Sequence, residues 1–335
     1  MANVTLHDVA KAAGVSHTTV SWALRADKRI TEKTRAQVQA AAQALGYIPN
    51  EVARSLAKGR TSTVAIVSAS FSSAFASEIL RGIEEEMAEH HADFSLVQYS
   101  TGENPARASH VFQQLLGANR ADAVICLAEP PDASTRAAFA NAKKALVIFD
   151  EHIVDTASIR GDNRRGAELA VLYLLSKGCK SPGIVTSLVL ANGRTKCDPE
   201  RTMGFMDICM QHGIEGKSMN LHSFNFETGH DLARTIAHDK WDSVFCAAGD
   251  MVAIGIMAGC RDLGLQIPQD LRIIGYDNLL VSSMVHPALT TIEQPLEQMG
   301  RAAVHSCFNQ MDTAGNPTTP NIQTFIPRLI HRASA

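Results

Sequence analysis

Two short helical patterns separated by a single turn occupy the first 25 residues, and this spacing constrains the fold more than any other feature of the chain. Apolar residues recur at the spacing of one helix face over residues 6–13, Gly14 breaks the pattern, and a second helix begins at once over residues 17–24. So short a connection is typical of a helix-turn-helix, whose second helix fits the DNA major groove. The sequence therefore predicts a DNA-binding domain.

Local signals support these helix ends. Thr5 and Asp8 have the Thr-x-x-Asp spacing of a capping box, and Ser16 is a suitable N-cap for the second helix. A third helix is predicted over residues 32–45 and ends at Gly46. Three short helices around a small Ala/Val/Leu core make an all-α domain.

Charge is divided unevenly along the chain. Nine basic and four acidic residues give residues 1–60 a net charge of +5, which leaves −8 for the remainder of a chain whose total is −3. A basic head on an acidic body is expected to contact phosphate through the head alone. The basic stretch over residues 50–60 is too short for a stable isolated helix, so we expect it to order only against DNA or its own copy.

Strand-like apolar runs alternate with helical segments from Val64 onward, and this alternation predicts two lobes of doubly wound parallel sheet with a ligand cleft at the carboxyl ends of the strands. The predicted strands are residues 64–68, 94–99, 123–127, 145–149, 183–186, 219–224, 243–247 and 271–276. The predicted helices are residues 77–90, 107–117, 135–142, 164–177, 200–212, 227–237 and 251–263. Residues 290–295 are expected to cross back toward the first lobe.

Composition and motifs argue against several other classes. The chain is 45% apolar and 19% charged, as in globular proteins, and no stretch approaches the roughly 20 apolar residues of a membrane span. Seven cysteines are scattered without metal-binding spacing, and we interpret them as reduced thiols, mostly in the core. Neither a signal peptide, a phosphate loop nor a Gly-x-Ser-x-Gly motif is found. We expect a cytoplasmic protein that is not an enzyme, with no catalytic residues, metal site or cofactor, and with His90 and His91 solvated on a helix end.

Seven segments in order along the chain carry a further signal. They read TLHDVAKAAGVSHTTVSWAL, TEKTRAQVQAAAQALGYIPNEVARSLAKGR, SEILRGIEEEM, DNRRGAELAVLYL, PERTMGF, GDMVAIGIMAGCRDLGLQIPQDLRIIGYDN and PALTTIEQP. Together they resemble the lactose/galactose-repressor (LacI/GalR) family of bacterial transcription regulators. The resemblance implies a small all-α helix-turn-helix head and an α/β core of two lobes, similar to periplasmic binding proteins. Its expected domains are a head (residues 1–49), a hinge helix and linker (50–62) and an effector-binding and dimerisation domain (63–335), with one lobe at about 63–161 and 294–328 and the other at about 162–293.

The resemblance assigns base reading to the exposed start of the second helix, at His17, Thr18 and Trp22. Trp22 stands where the family commonly has Arg, and an indole can stack or donate one N–H but cannot offer a guanidinium fork to guanine. Trp22 packing against the third helix is the alternative. The full set of DNA contacts implied in the head is Thr5, Ser16, His17, Thr18, Thr19, Ser21, Trp22 and Arg25.

The segment from Asn50 to Lys58 resembles the hinge helix of the family. By that resemblance Leu56 inserts as a wedge into the minor groove and Ala53 permits close approach. The basic side chains of Arg54 and Lys58 are expected to contact phosphate. An ordinary linker with a stray Leu is the alternative. Two wedges from two chains imply a homodimer on a near-palindromic operator.

The resemblance also implies an effector site between the lobes. Asp150 and Asp277 follow strands, where cleft residues lie in α/β sheets, and Arg201 carries a rigid donor fork suited to hydroxyl or carboxylate oxygens. Asp250 has the alternative of capping the helix over residues 251–263, and the two phenylalanines have the alternative of plain core packing. The implied effector residues are Phe75, Asp150, Arg201, Phe224, Asp250, Asp277 and Gln294.

Together these features predict a sequence-specific DNA-binding transcriptional regulator, a repressor, controlled by a small molecule between two lobes. We expect a sugar or sugar derivative as effector, with a nucleobase or nucleoside as the alternative. A solute-binding protein without a regulatory role would share the two-lobed fold, but the basic head and the missing signal peptide argue against it.

Overall fold

The structure, a computed structural model, consists of two compact units, Met1–Thr61 and Ser62–Ala335. It describes residues 4–24, 27–47, 60–102, 104–117, 120–127, 129–151, 153–187, 199–221, 223–312 and 321–335. None of the described helices is long and apolar enough to cross a lipid bilayer.

The first unit contains the three predicted helices, α1 (Leu6–Ala13), α2 (His17–Leu24) and α3 (Glu32–Leu45). The capping box at the start of α1 is confirmed, because the Thr5 hydroxyl accepts from the N–H of Asp8 and the Asp8 carboxylate accepts from the N–H of Thr5. Gly14 ends α1 with φ of 58°, a left-handed conformation that glycine adopts at little cost. The core of this unit is formed by Val9, Ala10, Ala13, Val20, Ala23, Val38 and Ala42.

Six strands form the first sheet of the second unit. They are β1 (Thr63–Ser68), β2 (Ser95–Ser100), β3 (Ala123–Cys126), β4 (Ala145–Phe149), β5 (Ala157–Gly161) and β11 (Ile322–Phe325). Their order is β11-β5-β4-β3-β1-β2, and every pair is parallel. The flanking helices are α4 (Ala74–His90), α5 (Pro105–Gly117), α6 (Ala133–Asn141) and α12 (Leu296–Asp312).

Helices cover both faces of this sheet, which is why its central strands are continuous apolar runs. Along β1, Val64 and Ile66 belong to the core shared with α4 and α12. The alternate residues Ala65 and Val67 belong to the core shared with α5 and α6. The period-2 alternation of a strand thus supplies two cores from one segment.

The second sheet has the same design. Its strands are β6 (Pro182–Ser187), β7 (Lys217–Leu221), β8 (Ser243–Cys246), β9 (Arg272–Asp277), β10 (Thr290–Glu293) and β12 (Arg328–Ile330). Their order is β12-β10-β9-β8-β6-β7, and only β12 is antiparallel to its neighbour. The helices are α7 (Asn163–Ser176), α8 (Pro199–Gln211), α9 (Phe226–His238), α10 (Asp250–Asp262) and α11 (Leu280–Met284).

The predicted fold class, a helical head and two lobes of doubly wound sheet, is confirmed. Some boundaries were wrong. The strand predicted over residues 219–224 is Lys217–Leu221. The segment expected to cross between the lobes begins with a strand of the second sheet, Thr290–Glu293, and the crossing to the first lobe follows at once. The chain passes between the sheets after β5, after β10 and after β11, so that Arg328 already lies in the second sheet.

Candidate nucleic-acid interface and inter-lobe cleft

The start of α2 presents two exposed polar side chains, those of His17 and Thr18. Ser16 precedes them as the N-cap, since its Oγ accepts from the N–H of Thr19 at 3.1 Å. The hydroxyls of Ser16 and Thr19 also lie 2.8 Å apart. Both hydroxyls therefore organise the first turn of α2, and Val20 anchors it in the core.

Trp22 lies half-buried on α2 and is covered by a neighbouring cation. The guanidinium carbon of Arg29 lies 4.3 Å from the centroid of the indole. Asp27 holds Arg29 there through two hydrogen bonds, to Nε at 2.9 Å and to Nη2 at 2.6 Å. One face of the indole is therefore occupied within the head itself.

The other residues expected to contact DNA are distributed as follows. Thr5 is exposed and engaged in the capping box of α1, and Ser21 is half-buried on α2. Six expected contacts lie outside the described residues: Arg25, Asn50, Ala53, Arg54, Leu56 and Lys58.

The structure brings four of the seven predicted effector residues together where the strand ends of the two lobes meet. Arg201, in the first turns of α8, is 5% exposed. Its Nε donates to Asn163 Oδ1 at 2.7 Å, and its Nη1 donates to the carbonyl of Ala247 at 2.8 Å. Its Nη2 lies 3.7 Å from Oδ2 of Asp150, which follows β4 of the first lobe. An ion pair thus joins the two lobes.

Both aspartates at the strand ends adopt a backbone conformation that non-glycine residues avoid. Asp150 has φ of 60° after β4, and Asp277 has φ of 97° at the end of β9. Such residues cost about 1–3 kcal/mol each and cluster at functional sites, because surrounding contacts must hold them in place. Here the neighbours are Asn163, whose Nδ2 lies 3.4 Å from Asp150 Oδ1, and Gln294, whose Nε2 donates to Asp277 Oδ1 at 2.9 Å.

Gln294 completes this group at the passage from β10 to α12. It is 3% exposed, and its Oε1 accepts no hydrogen bond from the part of the chain that the structure describes. Gly161 makes room for it, because a Cβ at that position would lie 2.3 Å from Gln294 Oε1. Burial raises the pKa of Asp277, and the charge of Arg201 opposes that rise.

Asp250 is held by hydrogen bonds within its own lobe. Its side chain is 0% exposed, Oδ1 accepts from the Thr291 hydroxyl at 2.6 Å, and Oδ2 accepts from the N–H of Leu279 at 2.7 Å. Burial and the nearby Asp277 raise the pKa of Asp250 to about 8. The carboxyl of Asp250 joins the loop after β9 to β10, and the N-cap of α10 is Gly249, so helix capping does not describe this side chain.

The two predicted aromatic residues do not take part in the hydrogen bonding, since their rings have no polar atoms. Phe75, in the first turn of α4, packs against the core of the first lobe with its centroid 6.4 Å from that of Phe149. Phe224 packs half-buried against the core of the second lobe.

The sequence prediction did not include Asn163, Tyr276, Arg160 or Glu200 at this place. Asn163 receives Arg201 and the hydroxyl of Tyr276, at 3.1 Å, on the same oxygen. Arg160 at the end of β5 donates to Glu200 of α8 and adds a second ion pair between the lobes. Their partners lie up to 113 residues away, so the only local signal was their position beside strand ends.

Comparisons with known proteins agree with both halves of the chain. Residues 5–50 match the family model described as bacterial regulatory proteins, lacI family, and residues 171–335 match the periplasmic binding protein-like domain. Catabolite control protein A of Staphylococcus epidermidis is 29% identical over 319 residues, which cover 92% of this chain and 93% of that protein. The ribose operon repressor of Escherichia coli K12 is 28% identical over 341 residues, 99% of each.

A solved structure shows the same fold. The lac repressor dimer bound to operator and the anti-inducer ONPF aligns over 99% of each chain with a TM-score of 0.85 at 24% identity. The relatives are named as regulators and not as enzymes. The chain is therefore a member of the lacI family of bacterial regulatory proteins, a DNA-binding transcriptional repressor with an effector-binding domain.

Proposed function

We propose that this chain is a homodimeric repressor whose affinity for a near-palindromic operator is set by a sugar or sugar derivative bound between its two lobes. The observation that carries the proposal is the group of Asp150, Arg201, Asp277 and Gln294, drawn from both lobes around one donor fork, with Arg201 and Gln294 buried and the two aspartates half-buried. Asp150, Asp277 and Gln294 lie at strand ends, the positions of ligand groups in open α/β sheets.

The chemistry of this group suits a ring with several hydroxyls. The carboxyl groups of Asp150 and Asp277 and Gln294 Oε1 can accept hydrogen bonds, and Arg201 only donates. A hydroxyl donates and accepts at once, so one polyol can engage all four. Phe75 adds an apolar ring that can face a sugar. The name of the ribose operon repressor among the relatives supports a sugar.

The same group offers a route to regulation. Arg201 to Asp150 and Arg160 to Glu200 are ion pairs across the lobe boundary, and a ligand that inserts at Asp150 changes one of them directly. A preference of about 1–3 kcal/mol for one lobe arrangement is enough to couple effector and operator. The hinge residues Asn50, Ala53, Arg54, Leu56 and Lys58 are the proposed recipients of that change.

In the head we propose that His17 and Thr18 read base edges, since both are exposed at the start of α2. Ser16 and Thr19 cap the helix and are proposed to contact phosphate from that position. Trp22 stacks on Arg29, so we propose apolar contact through its free edge. Thr5, Ser21 and Arg25 remain proposed DNA contacts.

A thermal-shift screen of sugars, sugar phosphates, polyols, purine bases and nucleosides tests the effector class. We expect a sugar to raise the melting temperature of the parent chain and to have a smaller effect on Gln294→Leu. The control is Arg165→Ala, whose side chain forms an exposed ion pair with Glu168 on α7. If only purine bases or nucleosides raised the melting temperature, the effector would belong to that class and not to the sugars.

Deletion of residues 1–61 tests the division of labour. We expect the truncated core to keep the ligand shift and to lose binding to an operator selected from random DNA by the full chain. Specific operator binding by the truncated core would overturn the assignment of the head.

A further inference from the structure

Helices α4 and α12 of the first lobe touch backbone to backbone at two glycines. A Cβ on Gly82 would lie 2.0 Å from the carbonyl oxygen of Glu297, and a Cβ on Gly300 would lie 2.3 Å from that of Ile79. Because the helix axes come this close, long side chains on the following turns are forced together. These side chains are Glu85, Glu86, Glu89, His90, Arg301 and His305.

Glu86 lies at the centre of this cluster. Its side chain is 3% exposed, and Oε2 accepts from Arg301 Nη1 at 3.3 Å. Oε1 accepts no hydrogen bond from the residues that the structure describes. Two imidazole nitrogens face this oxygen, Nε2 of His305 at 3.3 Å and Nε2 of His90 at 3.6 Å.

Three of these side chains already bring donor atoms near one another, and His305 approaches the same group through Glu86 Oε1. Donor atoms of Glu86, Glu89 and His90 all lie within 4.8 Å of one another. At metal–ligand distances of about 2.0–2.2 Å, neighbouring donors of a tetrahedral zinc site lie about 3.3 Å apart. The His90 and His305 side chains are 58% and 60% exposed, so both can adjust their rings without disturbing the core.

Charge favours a cation at this place. Arg301 bonds to the three carboxylates of Glu85, Glu86 and Glu89, which leaves two negative charges uncompensated when the imidazoles are neutral. Arg301 also orients Glu86 through Oε2 and leaves Oε1 directed at the histidines, as hydrogen-bond donors around metal ligands do. Neighbouring His91 stacks on Phe308 and belongs to the packing, not to the ligands.

We propose that Glu86, His90 and His305, with Glu89 as a fourth ligand, form a binding site for a divalent transition metal of the zinc or cobalt type. Two imidazoles with carboxylates suit these ions, whereas magnesium and calcium take oxygen ligands alone. The local sequence predicts a solvated His90, because His305 lies 215 residues away on another helix. The site lies apart from the inter-lobe cleft and does not rest on the proposed function.

Titration of the tag-free full chain with Zn²⁺ at neutral pH, followed by calorimetry, tests this site. We expect one ion per chain. His90→Ala/His305→Ala should bind more than about 100-fold more weakly, because even changes to groups that only orient a ligand cost about 10–100-fold. Glu86→Gln, which keeps the size of the side chain, should also lose affinity.

His110→Ala/His238→Ala is the matched control, since it removes two exposed imidazoles on other helices. With Co²⁺ the parent should show the visible absorption of a nitrogen-ligated site, and the His90/His305 variant should not. Absence of binding to the parent, equal binding by the His90/His305 variant, or equal loss in the control would each overturn the proposal.

Discussion

The guanidinium of Arg201 lies against the ring of Tyr276, with Cζ 3.7 Å from the ring centroid. Asn163 closes the group, because its Oδ1 accepts both from Arg201 Nε and from the Tyr276 hydroxyl. A buried guanidinium is tolerated only when its donors are used and its charge is compensated. Stacking and directional bonds do this here and fix the fork toward Asp150.

Replacing Arg201 by Lys keeps the charge but removes the planar fork. Arg201→Lys should lower the free energy of unfolding by about 2–3 kcal/mol, since hydrogen bonds from a charged donor contribute about 1.5–3 kcal/mol each and one of the two can be retained. Urea denaturation of the full chain measures this loss. Arg165→Lys, in an exposed ion pair, should change it by less than about 0.5 kcal/mol. Equal effects of the two variants would contradict the role given to the fork.

Asp250 should make stability depend on pH. Its folded-state pKa of about 8 lies above the ordinary 3.8, so the folded chain retains a proton that the unfolded chain has released. Stability should therefore fall as the pH rises from about 4 to 8. Asp250→Asn cannot ionise, and the parent should lose stability relative to this variant across that window.

Thermal denaturation of the parent and of Asp250→Asn between about pH 5 and 8 measures this pH dependence of stability. Asp132→Asn is the control, because Asp132 caps α6 through the N–H of Thr135 and its pKa is lowered by that bond. Asp132 is ionised throughout the window, so its variant should run parallel to the parent. Parallel profiles for Asp250→Asn would show that Asp250 is ionised in the folded state.

Gly161 should be intolerant of even a methyl group. A Cβ there would lie 2.3 Å from Gln294 Oε1, so Gly161→Ala must displace Gln294 from Asp277. We expect a loss of about 1–3 kcal/mol in the free energy of unfolding, as for other overpacked sites, together with weaker effector binding.

The control for Gly161 is another glycine of the same lobe. Nothing lies within 4 Å of a Cβ on Gly117 at the end of α5. Gly117→Ala should therefore be neutral or stabilising by up to about 1 kcal/mol, because it restricts only the unfolded chain. Chemical denaturation and ligand-induced thermal shifts compare the two variants. If Gly161→Ala changed neither stability nor effector binding, Gln294 would not belong to the proposed site.

Local signals allowed the head to be predicted nearly residue by residue. The predicted caps at Thr5 and Ser16 and the glycines that end α1 and α3 act within one helical turn, so residues close in the sequence are enough to predict them. Strand β5 was not predicted, although its position between β4 and β11 buries all five residues. Its sequence, ASIRG, is not apolar enough to indicate a strand unless those neighbouring strands are known.

The contacts in the cleft could be predicted from the sequence only in part. Strand ends pointed to Asp150 and Asp277 because parallel strands bring their carboxyl ends to one edge. Asp250 has the same local setting at the start of a helix, but its partners Leu279 and Thr291 are 29 and 41 residues away and turn it into a structural link. Such pairings depend on the order of the strands in the sheet, which the residues next to Asp250 in the sequence do not reveal.

Exposed His17 and Thr18 should govern operator choice and leave folding unchanged. Each base contact is worth about 1–3 kcal/mol of discrimination, so His17→Ala and Thr18→Ala should each weaken specific binding about 5–150-fold. Their binding to random DNA should keep its dependence on salt, because neither residue is proposed to neutralise a phosphate. Gln39→Ala, exposed on α3, is the control and should retain the affinity of the parent. Gel-shift titrations at two salt concentrations separate the outcomes. An equal loss of affinity for operator and for random DNA would mean that His17 and Thr18 contact the DNA backbone and that other residues of the head read the bases.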